Sequence, residues 1–299
     1  MTVLGARSSW VRASRRFRGV WFVVPAVVFF ALFNFYPMAR ALYLSLTEYD
    51  LVSPPRFVGL GNYLALLDDA RFAKAFGNTV VYMVGTTIPM WVIALAVALG
   101  LRAQRRLQGA LQLMYFLPVV LSGVAVAVAW KVLYHPYGLV NSLLGPFTDE
   151  PVRWLTSATW APLALIVLTV WQEVGFYVVI LMAGLQQIPR DFYEAARIDG
   201  AAGRQLLRHI TLPLLRPALL LVMVVSLVHG FQTFTYQFIL TRGGPSDATN
   251  VLSLYIYSSA FSYLRLGAAA AMSIVMMAVI ILLTLVQMRV VRADETSYD

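Results

Sequence analysis

The chain alternates between long apolar stretches and shorter segments that carry its charged residues. An α-helix needs about 20 apolar residues to cross the hydrocarbon core of a bilayer. Six stretches approach or reach that length with a single charged residue, Glu173, among them. These predicted spans cover approximately residues 20–35, 79–99, 111–130, 160–185, 217–240 and 267–288. The pattern therefore predicts an all-α, polytopic integral membrane protein with six transmembrane helices.

Prolines lie inside the first three predicted spans, at Pro25, Pro89 and Pro118. A proline inside a helix leaves a backbone carbonyl without its helical donor. Neighbouring helices or water can satisfy such a carbonyl in a membrane protein. We therefore expect kinks, and not helix ends, at these positions.

Composition supports the membrane assignment and removes several kinds of chemistry. Of the 299 residues, 60% are hydrophobic and 12% are charged, whereas a soluble domain is roughly 25% charged. Cysteine is absent, which excludes disulfides, thiolate metal ligands and cysteine nucleophiles in this chain. The histidines, His135, His209 and His229, lie in separate segments without the spacing of a metal site.

The net charge of +9 comes from basic residues that lie in small groups between the apolar stretches. Fifteen of them precede the first span, follow the last, or lie in the second–third and fourth–fifth connections, whereas the other connections hold eight. Lysine and arginine accumulate on the cytoplasmic side of membrane proteins. We therefore predict a cytoplasmic segment at residues 1–18, a transmembrane domain at 19–291 and a cytoplasmic tail at 292–299.

The predicted cytoplasmic connection at residues 189–213 is rich in charged and small residues. Asp191 followed by Glu194 resembles a capping box, so a short helix is predicted to begin there. Gly200 is expected to turn the chain. A second amphipathic helix is predicted over about residues 201–211, with Pro213 ending or bending it. Local physics alone leaves two roles open, docking on a partner protein or lying on anionic lipid headgroups.

This connection also resembles a known signature. Glu194-Ala195-Ala196 is followed after three residues by Gly200, after nine more by Ile210, and then by Leu212-Pro213. The spacing is that of the EAA motif in permease subunits of binding-protein-dependent ABC importers. Further stretches resemble the carbohydrate-uptake branch of that family, which includes maltose-, trehalose- and glycerol-phosphate-type permeases. They are Tyr36-Pro37, Ser45-Leu46, residues 57–63 (FVGLGNY), Asn78-Thr79, Leu117-Pro118, Ile188-Pro189, residues 198–201 (IDGA) and Gly243-Gly244-Pro245.

The resemblance extends over about residues 20–290 and has two departures. Thr235 stands where many relatives carry an acidic residue in the fifth span, which leaves a substrate contact at this position in doubt. Arg242 stands where glycine or another small residue is common.

The resemblance implies a type I ABC importer permease fold and a non-catalytic transport subunit of the bacterial or archaeal cell membrane. It implies four kinds of partner: a second, different permease subunit, two cytosolic ATP-binding subunits, an extracytoplasmic solute-binding protein and a carbohydrate. ATP and Mg²⁺ would bind to the ATPase subunits, and no cofactor to this chain, which lacks a phosphate-binding G-x-x-x-x-G-K-[ST] loop. The residues that would couple the permease to the ATPase are Glu194, Ala195, Ala196, Asp199 and Gly200.

Polar residues inside two predicted spans are candidates for contact with the cargo. A carboxylate inside a membrane is costly and often marks a transport pathway, and sugar recognition requires hydrogen-bonding groups beside aromatic rings. The ordinary alternative is that such side chains join neighbouring helices. The candidates are Gln172, Glu173, Gln232, Thr235, Tyr236 and Gln237, with Thr233 beside them.

Three alternative functions compete with carbohydrate import. An importer of the same type could carry glycerol 3-phosphate or glycerophosphodiesters, while the sugar-branch motifs disfavour peptides. An integral-membrane transferase would need a carboxylate or histidine constellation at one membrane face, and only isolated candidates occur. A secondary transporter would need no ATPase, so the EAA match argues against it.

Overall fold

The computed structural model describes residues 21–103, 107–148 and 150–292, without the side chains of residues 103, 291 and 292. The predicted N-terminal segment 1–18 and the predicted tail beyond residue 292 lie outside this part of the chain. The chain divides into two units, residues 1–65 with 259–274 and residues 66–258 with 275–299.

The described residues are mostly helical, as predicted. The principal elements in chain order are α1 (Trp21–Ser45), β1 (Thr47–Glu48), β2 (Arg56–Phe57), α2 (Gly61–Leu67), α3 (Ala70–Ala103), α4 (Gln108–Val120), α5 (Gly123–Leu133), α6 (Leu139–Leu144), α7 (Trp160–Gln187), α8 (Arg190–Ile198), α9 (Arg204–Leu214), α10 (Arg216–Phe231), α11 (Leu252–Tyr257) and α12 (Leu266–Arg292). Turns of π-helix occur at Ala31–Phe35, Leu207–Thr211, Gln237–Thr241 and Ser258–Ser262.

Four helices are long and apolar enough to cross a membrane: α1, α3, α7 and α12. Two further pairs pass the same test together but are bent, α4 with α5 by 94° and α9 with α10 by 66°. The described residues therefore contain four candidate spans, or up to six if each bent pair is one span. Pro89 lies within α3 without ending it, as expected for a tolerated proline.

The third predicted span is not one straight helix. Pro118 remains inside α4, and the break falls at Leu121 and Ser122, where Leu121 has an extended backbone (ψ 143°). The side-chain Nε2 of Gln172 in α7 donates to the exposed carbonyl of Leu121 at 3.2 Å. A partner from another helix therefore satisfies the interrupted backbone.

The fifth predicted span, residues 217–240, is also wrong as a continuous helix. α10 ends at Phe231, and regular helix resumes only after a short break at residues 232–234. The hydroxyl of Ser253 donates to the carbonyl of Thr233 inside this break. Of the polar residues that made this stretch unusual in the sequence, Gln232 and Thr233 lie in the break, whereas Thr235, Tyr236 and Gln237 lie in the helix that resumes after it.

In the first unit, the FVGLGNY stretch (residues 57–63) bonds to the end of α1 through two side chains. The amide Nδ2 of Asn62 donates to the carbonyls of Ser45 (2.9 Å) and Thr47 (2.8 Å). The hydroxyl of Tyr63 donates to Oγ of Ser45 at 2.7 Å. These bonds hold the start of α2 beside the β1–β2 ribbon.

In the second unit, Asn78 and Thr79 of α3 hold the connection that leads to α11. Asn78 Nδ2 donates to the carbonyls of Asp247 (2.7 Å) and Asn250 (3.0 Å). Thr79 Oγ1 accepts from the backbone N–H of Leu252 at 2.7 Å. The Asn78-Thr79 pair noted in the sequence therefore supplies the capping bonds of this connection.

α7 is the central helix of the second unit and packs against α3, α4 and α10. Its buried residues Tyr177, Leu181 and Leu185 share one apolar core with Ala94 of α3 and Val222 of α10. Small residues allow the helices to approach closely, as is common in membrane proteins. A Cβ placed on Gly175 of α7 would collide with the backbone carbonyl of Tyr115 in α4.

We expect Gly175→Val to push α7 away from α4 and to lower stability by about 1–3 kcal/mol, the usual cost of overpacking. Thermal unfolding of the purified chain in detergent, followed by tryptophan fluorescence, measures the change. Gly100→Val is the matched control, because a Cβ on Gly100 of α3 would meet no atom within 4 Å. Equal melting temperatures for the two variants would contradict the close packing at Gly175.

Candidate functional site

A cavity of about 530 Å³ lies in the second unit, where the two helix breaks face α3 and α7. Its wall is formed by α3, the α4–α5 break, α7, α10 and residues 232–236. Hydroxyl and amide groups dominate its polar lining: Thr86, Thr169, Gln172, Ser226, Gln232, Thr233 and Thr235. Such groups can donate and accept hydrogen bonds to a polar solute.

Five of the six predicted cargo residues line this cavity. They are Gln172, Glu173, Gln232, Thr235 and Tyr236. Gln237 lies elsewhere: its side chain is fully buried, its Oε1 accepts from the Thr233 hydroxyl at 3.1 Å, and it borders a separate cavity of about 50 Å³. The structure thus brings most of the candidate set together and gives Gln237 a bond within its own helical segment.

Gln172 both supports the α4–α5 break and faces the cavity. Its side chain is only 5% exposed. Nε2 is used by the bond to Leu121, whereas Oε1 has no hydrogen-bond partner among the described residues. A buried amide oxygen without a donor is unfavourable, so a donor that reached this atom would stabilise the site.

Glu173 lies in the middle of α7 and also lines the cavity. Within the described ranges, its carboxylate makes no hydrogen bond and has no basic side chain within 4.0 Å. The alternative that Glu173 joins neighbouring helices therefore finds no hydrogen bond or ion pair in the described part of this chain.

Several residues that line the cavity were not predicted from the sequence. Tyr82 and Thr86 of α3 face the cavity, and the Tyr82 hydroxyl bonds to Thr169 of α7. From α10, His229 lines the wall with Nδ1 3.4 Å from the Tyr177 hydroxyl. Tyr82 and Thr86 are four residues apart on one helical face, and this spacing of polar groups in an apolar span was the signal that could have indicated them.

The predicted coupling residues lie on α8 and in the turn that follows. Glu194, Ala195, Asp199 and Gly200 are exposed, and Ala196 is half-buried. Gly200 has φ +83°, a conformation that favours glycine. The predicted turn at Gly200 is therefore confirmed.

Two local predictions in this segment are wrong. α8 begins at Arg190 with Pro189 at the cap position, and no side chain caps it. Asp191 therefore lies in the first turn, where it suits the helix dipole but cannot form the predicted capping box.

The second predicted helix is also displaced. Gly203, with φ +46°, extends the turn, so α9 begins at Arg204 instead of 201. α9 continues to Leu214, and Pro213 lies at the first turn of its last helical segment, where its missing N–H costs little.

A surface groove of about 240 Å³ follows the turn between α8 and α9. Ala196, Asp199 and Gly200 form one side of it, and Gln205 and His209 of α9 form the other. Beside the groove, the apolar side chain of Ile198 is 86% exposed. An exposed apolar side chain next to small residues provides a surface that a partner protein can contact.

One tyrosine fastens α8 to the rest of the second unit. The Tyr193 hydroxyl accepts from Nη1 of Arg102 at 2.7 Å and lies 3.1 Å from Oγ1 of Thr211. The Arg102 guanidinium also lies 4.5 Å from the centre of the Tyr193 ring. α8 is thereby attached both to the end of α3 and to α9.

Broken apolar helices around a polar cavity, together with an exposed helix–glycine–helix segment, define a membrane permease. Residues 92–293 match the family described as the binding-protein-dependent transport system inner membrane component. The chain belongs to this family.

Relatives that are named permeases cover nearly the whole chain. The sulfoquinovosyl glycerol transport system permease protein SmoG of Agrobacterium fabrum is 32% identical over 96% of this chain and 94% of its own length. The lactose transport system permease protein LacF of Rhizobium radiobacter is 34% identical over 90% and 92%. The trehalose/maltose transport system permease protein MalF of Thermococcus litoralis is 31% identical over 92% and 93%.

A solved structure shares the fold. A chain of a bacterial ABC transporter involved in the import of the acidic polysaccharide alginate superposes with a TM-score of 0.81 at 25% identity. The superposition covers 97% of this chain and 100% of the other. The protein is therefore a membrane-embedded permease with the type I ABC permease fold.

Proposed function

We propose that the chain is the permease subunit of an ATP-driven importer of a carbohydrate, and that the cargo passes through the cavity beside Gln172 and Glu173. The cavity wall is the observation that carries the proposal. Hydroxyl and amide side chains line it together with the rings of Phe176, Phe234 and Tyr236. Sugars present hydroxyl groups at their edges and C–H groups on their faces, so this mixture suits them.

The relatives support a sugar and not a phosphate ester. Lactose, trehalose and maltose appear in their names. A phosphate is normally held by arginine or lysine side chains, and no such side chain is among the described residues that line the cavity. The glycerol 3-phosphate alternative therefore has no support in this chain.

The proposed arrangement in the membrane treats each bent pair as one span. The six spans then place both termini and residues 189–213 in the cytoplasm, with the transmembrane domain at 19–291. This placement follows the distribution of arginine between the connections. It puts α8, the Gly200 turn and the adjoining groove where cytosolic ATPase subunits could reach them.

The complete importer would contain partners that supply what this chain lacks. Two ATP-binding subunits would bind ATP and Mg²⁺ and carry out hydrolysis, a second permease would complete the pore, and an extracytoplasmic binding protein would deliver the sugar. The alginate transporter has been solved in complex with a pentasaccharide-bound periplasmic protein, which supports a partner of this kind.

In the proposed coupling mechanism, α8 docks into a groove of one ATPase subunit. Glu194 would accept hydrogen bonds there, and Ala195 and Ala196 would allow close approach because their side chains are small. Gly200 would maintain the turn, and Asp199 precedes it. Movement of α8 would reach α3 through the Arg102–Tyr193 contact and α9 through Thr211.

Deleting the chain from its host should abolish ATP-dependent uptake of one sugar from a labelled panel of lactose, maltose, trehalose and monosaccharides. Re-expression should restore uptake, and uptake of labelled glycerol 3-phosphate should not change. Sugar transport by the purified chain alone in vesicles, without ATP or partner subunits, would contradict the proposal.

Docking predicts that Ala196→Cys will form a disulfide crosslink with a cysteine introduced into the ATPase groove. The background is clean because this chain has no cysteine of its own. Ala183→Cys is the control, since Ala183 is an exposed alanine on α7 outside the proposed docking segment. A complex that is assembled and active, yet gives no crosslink from position 196, would refute docking through α8.

The Tyr193 attachment predicts a defect in coupling. Tyr193→Phe keeps the ring beside Arg102 but removes the hydroxyl bonded to Arg102 and Thr211. Because a hydrogen bond to a charged group contributes about 1.5–3 kcal/mol, we expect sugar transported per ATP hydrolysed to fall about tenfold. Tyr137→Phe is the control, because Tyr137 is 87% exposed in a connecting segment. An unchanged transport-to-ATP ratio would show that the attachment does not carry the movement.

A further inference from the structure

Some hydrogen-bonding groups on the cavity wall already have partners within the chain, and others do not. The hydroxyls of Tyr82 and Tyr177 already bond to Thr169 and His229. Among the remaining groups, the Glu173 carboxylate and Oε1 of the 95% buried Gln172 have no partner in the described part of the chain and can only accept hydrogen bonds. They come from adjacent residues of α7 and border the same space.

These free acceptors distinguish between classes of sugar. The hydroxyls of an uncharged sugar are donors, and two neighbouring hydroxyls can bond to one carboxylate. A carboxylate, sulfonate or phosphate group on a sugar offers only acceptor oxygens when ionised, so it cannot satisfy either free group. Its negative charge would also be repelled by Glu173, with little screening inside a membrane.

The other titratable groups that face the cavity do not reverse this preference. They are His229 and the hydroxyls of Tyr82, Tyr177 and Tyr236. No lysine or arginine is present in the described lining. His229 shares its Nδ1 with the Tyr177 hydroxyl and is not within 4.0 Å of the Glu173 carboxylate.

We propose that Glu173 selects the cargo by charge: its unpaired carboxylate, with Gln172 Oε1 beside it, admits an uncharged sugar through hydroxyl donors and excludes acidic sugars. This inference rests on the proposed function, because it assigns a substrate class to the same cavity.

The electrostatic effect of Glu173 on the cavity can be measured without knowing which sugar is transported. Thr235→Cys and Gln232→Cys place single reporters at exposed positions of the cavity wall in a chain that has no other cysteine. Each reporter is treated, in the assembled complex in membrane vesicles, with a cationic trimethylammonium-ethyl or an anionic sulfonatoethyl methanethiosulfonate. Rates on a free small thiol correct for the intrinsic difference between the reagents.

We expect the corrected cation-to-anion rate ratio to be at least about tenfold at both reporters, as for a unit charge within about 10 Å at intermediate dielectric. Glu173→Gln, which keeps the shape of the side chain, should bring the ratio close to one, and Glu173→Asp should keep it high. A ratio near one with Glu173 present, a ratio unaffected by Glu173→Gln, or no reaction of either reporter would overturn the proposal.

A second experiment tests the choice of cargo. The uptake assay compares uptake of lactose, maltose and trehalose with uptake of labelled glucuronate. We expect uptake only of uncharged sugars, and a fall of about tenfold in that uptake with Glu173→Gln, because a charged acceptor is replaced by a neutral one.

Uptake of glucuronate by the unaltered complex would overturn charge selection while leaving ATP-driven sugar import standing. Sugar uptake that did not depend on ATP would instead overturn the proposed function. Complex assembly is checked by gel filtration. If the Glu173→Gln complex did not assemble, the cation-to-anion rate ratio measured with Glu173 in place would still test the proposal.

Discussion

A backbone carbonyl inside a bilayer has no water to bond, so it must find a donor within the protein. This constraint explains where the second unit interrupts its helices. The carbonyl of Leu121, between α4 and α5, accepts from Gln172 of α7, and the carbonyl of Thr233, after α10, accepts from Ser253. Both breaks border the same cavity. Gln172, the donor at the first break, is therefore also a polar group of the cavity wall.

The cavity and the segment 189–213 are parts of one continuous framework. α7 carries Glu173 at its middle and ends at Gln187, and only Ile188 and Pro189 separate it from α8. α3 lines the cavity with Tyr82 and Thr86, and its far end contacts α8 through Arg102 and Tyr193. Two helices of the cavity wall therefore meet the same short helix, so a displacement of α8 has a direct route to both.

The geometry also separates two roles that polar residues in a membrane span can have. Gln237 uses its Oε1 to accept from Thr233 and lies outside the cavity, which is the joining role expected of polar side chains between helical segments. Glu173 has no such partner among the described residues and faces open space. Polar side chains in apolar helices are thus structural at one position and face a cavity at another.

The sequence alone determined the membrane class, because an apolar stretch of sufficient length has few other stable environments. It also located α1, α3, α7 and α12, the α8 helix and the turn at Gly200, since these depend on local composition and on a backbone conformation that glycine favours. Polarity within apolar spans also indicated five of the residues that line the cavity.

Only the tertiary structure decided where the helices break and which faces meet. The break at Leu121 has no proline at it, and its donor, Gln172, comes from 51 residues further along the chain. Likewise, Tyr82 and His229 join the cavity because α3 and α10 both pack on α7. Apolar periodicity is the same whether a helix faces lipid, a neighbouring helix or a cavity, so contacts between distant segments were needed to distinguish them.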